Sequence, residues 1–170
     1  MSIELVRAYL EPFGRASDIL EFDVSSATVE LAAKAVGVIP ARIAKTLSFH
    51  GPEGGCLLIV TAGDTKIDNA KFKKQFHCKA KMLTPEEALS FTGHAVGGVC
   101  PFGLPNEGVT VYLDVSLQRF ETVYPAAGSA NSAICLTCDE LETLTGGAQW
   151  IDVCKLPAEP ENVASTSIQQ

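Results

Sequence analysis

Lys45-Thr-Leu-Ser-Phe-His-Gly-Pro-Glu-Gly-Gly-Cys-Leu-Leu-Ile-Val-Thr61 holds two β-rich runs around a single turn cluster. His50 to Gly55 is rich in glycine and proline, which reverses the chain and predicts an antiparallel pairing of Lys45–Phe49 with Cys56–Thr61. Leu57-Leu-Ile-Val60 has no polar face, so the second strand belongs in the middle of a sheet covered on both sides. Pro40 opens a short turn that delivers Lys45 to the start of the first strand, where its cation projects. A lysine held there only by solvent would fit the position equally.

Outward from this pair, the N-terminal side reads as helix, strand, helix. Residues 2–13 carry Ile3, Leu5, Val6, Tyr9 and Leu10 on one helical stripe that Pro12 and Gly14 stop. Ile19–Val24 reads as a strand, and Thr28–Val36 as a helix closed by Gly37. On the C-terminal side, Asp68–Phe76 reads as a helix and Ala80–Leu83 as a short strand. Thr84-Pro-Glu-Glu87 opens a further helix, with Thr84 as cap, Pro85 at the first position and Glu87 completing a capping box. Beyond residue 105, Val109–Asp114, Glu121–Ala126, Ser132–Leu136 and Trp150–Val153 read as strands, Ser116–Arg119 as a short helix, and Thr137 to Glu140 as a second capping box. Helices and strands mix without strict alternation, so the fold class is α/β or α+β around one largely mixed sheet.

Composition sets limits on this picture. At 170 residues, 46% hydrophobic and 19% charged, the chain suits one globular domain that builds its core without staples. We expect that domain over residues 1–155 and a disordered tail over 156–170, where Pro, Glu, Ser and Gln dominate. No apolar run reaches the roughly 20 residues a membrane span needs, and the N-terminus does not read as a secretory signal, so a cytoplasmic protein without membrane contact is expected. The six cysteines are scattered and are read as reduced; Cys135-Leu-Thr-Cys138 lacks the second pair or the histidines a zinc site needs. The alternative for Cys138 is weak thiolate activation at a helix N-terminus.

Gly93-His-Ala-Val-Gly-Gly-Val-Cys-Pro-Phe-Gly103 packs four glycines and one proline into eleven residues. Such a loop brings main-chain N–H groups close to a ligand, although plain connections are also built this way. The familiar nucleophile and metal signatures are missing: there is no Gly-x-Ser-x-Gly elbow, no His-Glu-x-x-His and no Walker loop, and His50, His77 and His94 form no triad pattern. His94 and Cys100 sit inside the loop without an assigned role. Asp114 ends a strand, where it would cap or orient a neighbour.

Three segments together resemble the YbaK/prolyl-tRNA synthetase-associated editing family of free-standing aminoacyl-tRNA deacylases. Ala27 to Phe49 is similar to that family's helix, turn and Lys-Thr-Leu strand. Gly93 to Gly103 resembles its Gly-x-x-x-Gly-Gly-x-x-Pro-x-Gly loop, and Tyr124-Pro-Ala-Ala-Gly-Ser-Ala-Asn-Ser132 its late Gly-Ser segment. The resemblance runs from about residue 20 to residue 153 in the same order. It implies a curled, barrel-like sheet flanked by helices, and hydrolysis of an aminoacyl ester by backbone groups, a lysine and the substrate's own ribose hydroxyl, with no metal and no cofactor. Carried across by motif, Lys45 holds a phosphate or polarises the ester, while Gly97, Gly98 and Val99 offer N–H groups to the carbonyl or its oxyanion. Pro101 and Gly103 shape the loop, and Gly128 and Ser129 complete the pocket wall, a buried turn serine being the alternative for Ser129. Thr28 and Val29 line the amino-acid pocket in this reading and suit a helix cap and a core contact just as well.

The implied substrate is a mischarged tRNA(Pro), with alanine first and cysteine, serine and threonine open, and prolyl-tRNA synthetase is the candidate protein partner. A net charge of −7 opposes broad contact with nucleic acid. Local contact is left to Lys66, Lys71, Lys73, Lys74, Lys79 and Lys81, which otherwise form a solvated face. A non-catalytic tRNA- or synthetase-binding module, and a small-molecule esterase, are the competing readings.

Overall fold

The computed structural model describes residues 2–105 and 107–157. Its centre is the expected antiparallel pair, β2 (Ile43–His50) and β3 (Cys56–Ala62), in register from Ala44 opposite Ala62 to His50 opposite Cys56. All seven residues of β3 are buried, as an apolar strand with neighbours on both edges and layers on both faces requires.

Around this pair the chain adds β1 (Leu20–Glu21), β4 (Lys66–Ile67), β5 (Val109–Asp114), β6 (Thr122–Pro125), β7 (Ser132–Ala133), β8 (Leu136–Thr137), β9 (Gln149–Ile151) and β10 (Cys154–Lys155). Together with β2 and β3, four of these form a curled half-barrel in the order β8-β6-β2-β3-β5-β9, with β2–β6, β3–β5 and β5–β9 parallel. Two short antiparallel ribbons, β1–β7 and β4–β10, close its margins. The helices are α1 (Ser2–Leu10), α2 (Val29–Val36), α3 (Asn69–Phe76), α4 (Pro85–Thr92) and α5 (Cys138–Leu144). The mixed α/β architecture with a curled sheet therefore matches the expectation.

Alternation along β2 and β3 feeds the core on both faces of the sheet. Leu57 and Ile59 turn to Phe72 and Phe76 of α3, while Val60 and Ala62 turn to a larger cluster with Val6 and Leu10 of α1, Phe102, Leu113, Leu117 and Leu141. Local signals terminate the helices where expected. Thr28, Thr84 and Thr137 each accept a backbone N–H as N-caps, the last two in complete capping boxes with Glu87 and Glu140. α2 and α4 close on Gly37 and Gly93 in the left-handed conformation.

Several elements differ from expectation. Ile19–Val24 keeps only two strand residues, because its partner β7 is itself two residues long. Ala80–Leu83 is reduced to one bridge between Met82 and Phe49. Ser132–Leu136 splits into β7 and β8, Ser116–Arg119 is a 3-10 turn spanning Val115–Arg119, and β4 and β10 are strands that the sequence pattern does not mark. The expected tail falls, from residue 158 onward, outside the described residues. No helix among the described residues is long and apolar enough to cross a membrane.

Candidate functional site

A cavity of about 350 Å³ opens where β2 loses its outer neighbour. β6 runs beside β2 only at Ile43 and Ala44. Farther along that edge, Leu83 N–H donates to the Ser48 carbonyl and His50 N–H to the Lys81 carbonyl. Those bonds show that the even-numbered residues of β2 turn their main-chain groups away from β3, so the N–H and C=O of Thr46 face the unpaired edge. The cavity fills this gap. Its walls come from the approach to α2, from the start of α4, from the glycine loop and from β6 and β7.

Five of the sequence-derived residues meet there: Thr28, Val29, Lys45, Gly97 and Val99 all line the cavity. Thr28 does so while capping α2, its hydroxyl accepting Leu31 N–H at 3.1 Å, so the cap and the wall are one residue. Lys45 is half-buried and its ammonium donates to the Thr65 carbonyl at 2.5 Å. Burial pushes its pKa below the ordinary lysine value, against the pull of nearby Cys154, Asp64 and Glu30. An ammonium has three N–H donors, so two remain after Thr65.

The glycine loop turns at Ala95–Gly98, where Gly98 N–H donates to the Ala95 carbonyl at 2.9 Å and Gly97 takes φ +91°. That turn corrects one expectation: the Gly98 amide is bonded inside the loop, whereas the amides of Gly97 and Val99 have no partner among the described residues. Gly98 is required for a different reason. A Cβ there would lie 2.8 Å from the backbone of Gly128 and Ser129, so the two loops touch main chain to main chain. A Cβ on Gly97 would lie 3.0 and 3.2 Å from the Cβ atoms of Ala27 and Ala130.

Other expected residues lie elsewhere. Pro101 and Gly103 line a second, open groove with Tyr9 and Tyr112, and a Cβ on Gly103 would stand 2.7 Å from the Leu5 carbonyl of α1. They seat the loop on α1 and do not touch the cavity. Gly128 and Ser129 stand behind its wall. Ser129 hydroxyl bonds Ser132 hydroxyl at 2.7 Å, and it is Ser132 that lines the cavity. Sequence reasoning missed Ser132, Thr46, Ser48, Ser26 and Tyr124, which belong to the same wall. Thr46 was legible in the Lys-Thr-Leu strand; the others are brought in by chain segments far apart in sequence. The hydroxyls of Ser26 and Thr46 are buried without a hydrogen-bond partner, which leaves polar capacity at the wall.

The three residues left without a role prove structural. His94 is fully buried, with Nε2 2.7 Å from the Phe102 carbonyl and 3.6 Å from Cys100 Sγ. Burial lowers the His94 pKa and pushes the Cys100 thiol up to about 12, the opposite of what an activated pair needs. Asp114 accepts Ser116 N–H and Val153 N–H at 2.9 Å each and so ties the end of β5 to the approach to β10. All six cysteines are free thiols, and burial raises the Cys138 pKa in spite of its helix N-terminal place, which opposes thiolate activation. Among the described residues, no three His, Cys, Asp or Glu side chains gather as metal ligands.

Comparison with known proteins identifies the family. A model of the aminoacyl-tRNA editing domain matches residues 24–144. An uncharacterized protein of Bacillus subtilis (strain 168), YwhH, is 55% identical over 155 residues, covering 91% of this chain and 98% of its own. An Enterococcus faecalis protein named "Putative Cys-tRNA(Pro)/Cys-tRNA(Cys) deacylase EbsC" is 29% identical over 121 residues, 71% of this chain and 73% of its own. A crystal structure described as "a putative trans-editing enzyme for prolyl tRNA synthetase" superposes with a TM-score of 0.81 at 33% identity, covering 91% of this chain and 97% of that one. The matched segment takes in α2, the whole curled sheet except β9, the glycine loop and every residue of the cavity, and the chain belongs to the aminoacyl-tRNA editing domain family.

Proposed function

We propose that this protein is a trans-acting deacylase that hydrolyses the ester of mischarged tRNA(Pro), with alanine as the first candidate for the wrong amino acid. The observation that carries this reading is the meeting of Lys45, the unpaired amides of Gly97 and Val99 and the open edge of β2 on one cavity. An aminoacyl ester is already activated, so positioning and charge stabilisation suffice without a side-chain nucleophile. Water adds to the ester carbonyl, the electron pair moves to the carbonyl oxygen, and Gly97 and Val99 N–H receive that oxyanion. Collapse breaks the bond to the terminal ribose oxygen, which takes the proton lost by the water; free amino acid and tRNA leave. Lys45 uses its two remaining N–H donors on the terminal phosphate or the ester carbonyl. In this reading Gly98 positions the loop, and Ser129 positions Ser132.

The walls suit an apolar side chain. Ala27, Val29, Ala32, Ala44 and Ala88 give the cavity an apolar wall that accepts a small apolar side chain, and a second hydrolytic site is what an enzyme needs when binding alone separates small apolar side chains poorly. The name of the Enterococcus faecalis relative keeps cysteine in the test set, with serine and threonine beside it. The cytoplasm is the expected compartment and prolyl-tRNA synthetase the candidate partner. The test is amino-acid release from Ala-, Cys-, Ser- and Thr-tRNA(Pro), with Pro-tRNA(Pro) as control. Selective release supports the reading and identifies the substrate; no release from any of them by folded protein overturns it.

A further inference from the structure

Lys66 on β4 and Lys155 on β10 stand directly opposite each other in an antiparallel ribbon, both exposed. Their ribbon neighbours Ile67 and Cys154 point the other way, into the apolar cluster around Phe72 and Phe76, so the two ammonium groups share the outer face. Like charges directly opposite across strands are destabilising. In a chain of net charge −7 an acid beside the ribbon would be the simple remedy, but the aspartates around it are committed elsewhere, and Glu30 acts on Lys45. Asp64 holds Arg119 through two bonds, Asp152 holds Lys71, Asp68 caps α3, and Asp114 is buried under two backbone N–H groups. Neither Lys66 nor Lys155 makes an ion pair among the described residues, whereas Arg7, Arg15 and Arg119 all do.

This pair is linked to a cavity-lining residue by one hydrogen bond. The Lys45 ammonium is bonded to the carbonyl of Thr65, the group whose peptide bond leads into Lys66. One peptide unit therefore carries the anchor of the cavity lysine and the first member of the pair. Lys66 opposes the charge of Lys45 and Lys155 stands opposite Lys66, in a chain whose 20 acids outnumber its 13 bases, which is the arrangement that local, non-sequence-specific phosphate contact calls for.

We infer that Lys66 and Lys155 form a clamp for the phosphodiester backbone of the tRNA acceptor end, steering the charged terminus toward Lys45. This rests on the aminoacyl-tRNA reading above. The clamp gives the acidic protein its affinity for a polyanion at the one place where the ester must enter, and the repulsion between the two lysines is relieved when phosphate lies between them.

The experiment is the salt dependence of binding to uncharged tRNA(Pro), which needs no turnover, for the wild type, the double variant Lys66→Gln/Lys155→Gln and the charge-conserving Lys66→Arg/Lys155→Arg. Loss of two phosphate contacts reduces the slope of log K against log salt by about 1.4 to 1.8, and the arginine pair keeps it. Thermal melting of the glutamine variant, at or above the wild-type midpoint, shows that the fold is intact. A reduced slope together with absent ester hydrolysis in the wild type supports the clamp and overturns the deacylase reading. An unchanged slope and affinity in a wild type that does hydrolyse overturns the clamp and leaves the deacylase reading standing. A wild type that does not bind tRNA at all overturns the clamp.

Discussion

Gly98 and Ser129 meet with no side chain between them: a Cβ on Gly98 would stand 2.8 Å from the backbone nitrogen and Cα of Ser129. The approach fixes the glycine loop, whose Gly97 and Val99 line the cavity, against the segment that carries Ser132. Gly98→Ala must push the loops apart, at a cost of about 1–3 kcal/mol in overpacking. Activity should fall about 100-fold, since a displacement near 1 Å is enough for that loss. Unfolding curves and single-turnover rates on the same variant check both figures. A variant with native rates would mean that the loop amides are not part of the chemistry.

The neutrality of His94 makes a prediction about pH. Burial holds its pKa below the ordinary 6.5, so the folded protein binds fewer protons than the unfolded chain once the pH falls beneath that value. The stability it contributes is complete above about pH 6.5 and is lost as the pH drops from there to the depressed folded pKa. Denaturant unfolding of the wild type and His94→Asn across pH 4.5 to 7.5 should show a steeper acid loss in the wild type. His94 ring signals that titrate at or above 6.5 in the folded protein would contradict the burial argument.

Asp114 offers a test of the connection from the sheet to the ribbon. One carboxylate oxygen accepts Ser116 N–H and the other Val153 N–H, and asparagine would present an NH₂ to one of these donors. Asp114→Asn should therefore cost about 1–3 kcal/mol, the penalty for one buried donor left unsatisfied. Because Val153 precedes β10, hydrogen exchange should quicken at Val153 and across the β4–β10 ribbon before it does in β2 and β3. Uniform exchange over the sheet would show that Asp114 does not hold this connection.

Local signals in the sequence carry much of this fold. Thr84 with Glu87 and Thr137 with Glu140 mark helix starts through side chains three residues apart, and Leu57–Val60 marks a strand buried on both faces. Such signals are local, so sequence carries them. The parallel partners of β2, β3 and β5, and the two-residue ribbon that pairs Lys66 with Lys155, depend on segments far apart along the chain and leave no local pattern. The site divided along the same line. Lys45, Gly97 and Val99 were placed by their motifs, yet the motif could not say why each glycine is there: Gly103 is small to clear Leu5 on α1, and Gly98 to clear Ser129. The open edge at Thr46 exists only because β6 stops pairing after Ala44, a fact of tertiary register.

The most direct test of the central claim is single-turnover hydrolysis of Ala-tRNA(Pro) at pH 7 by the wild type and by Lys45→Met, which keeps the half-buried stem and removes the cation. The account predicts that the wild type releases alanine well ahead of proline from Pro-tRNA(Pro), and that Lys45→Met is slower by about 10²–10³ with its fold retained. Equal rates for the two proteins would contradict it, and would remove Lys45 from the chemistry of the cavity.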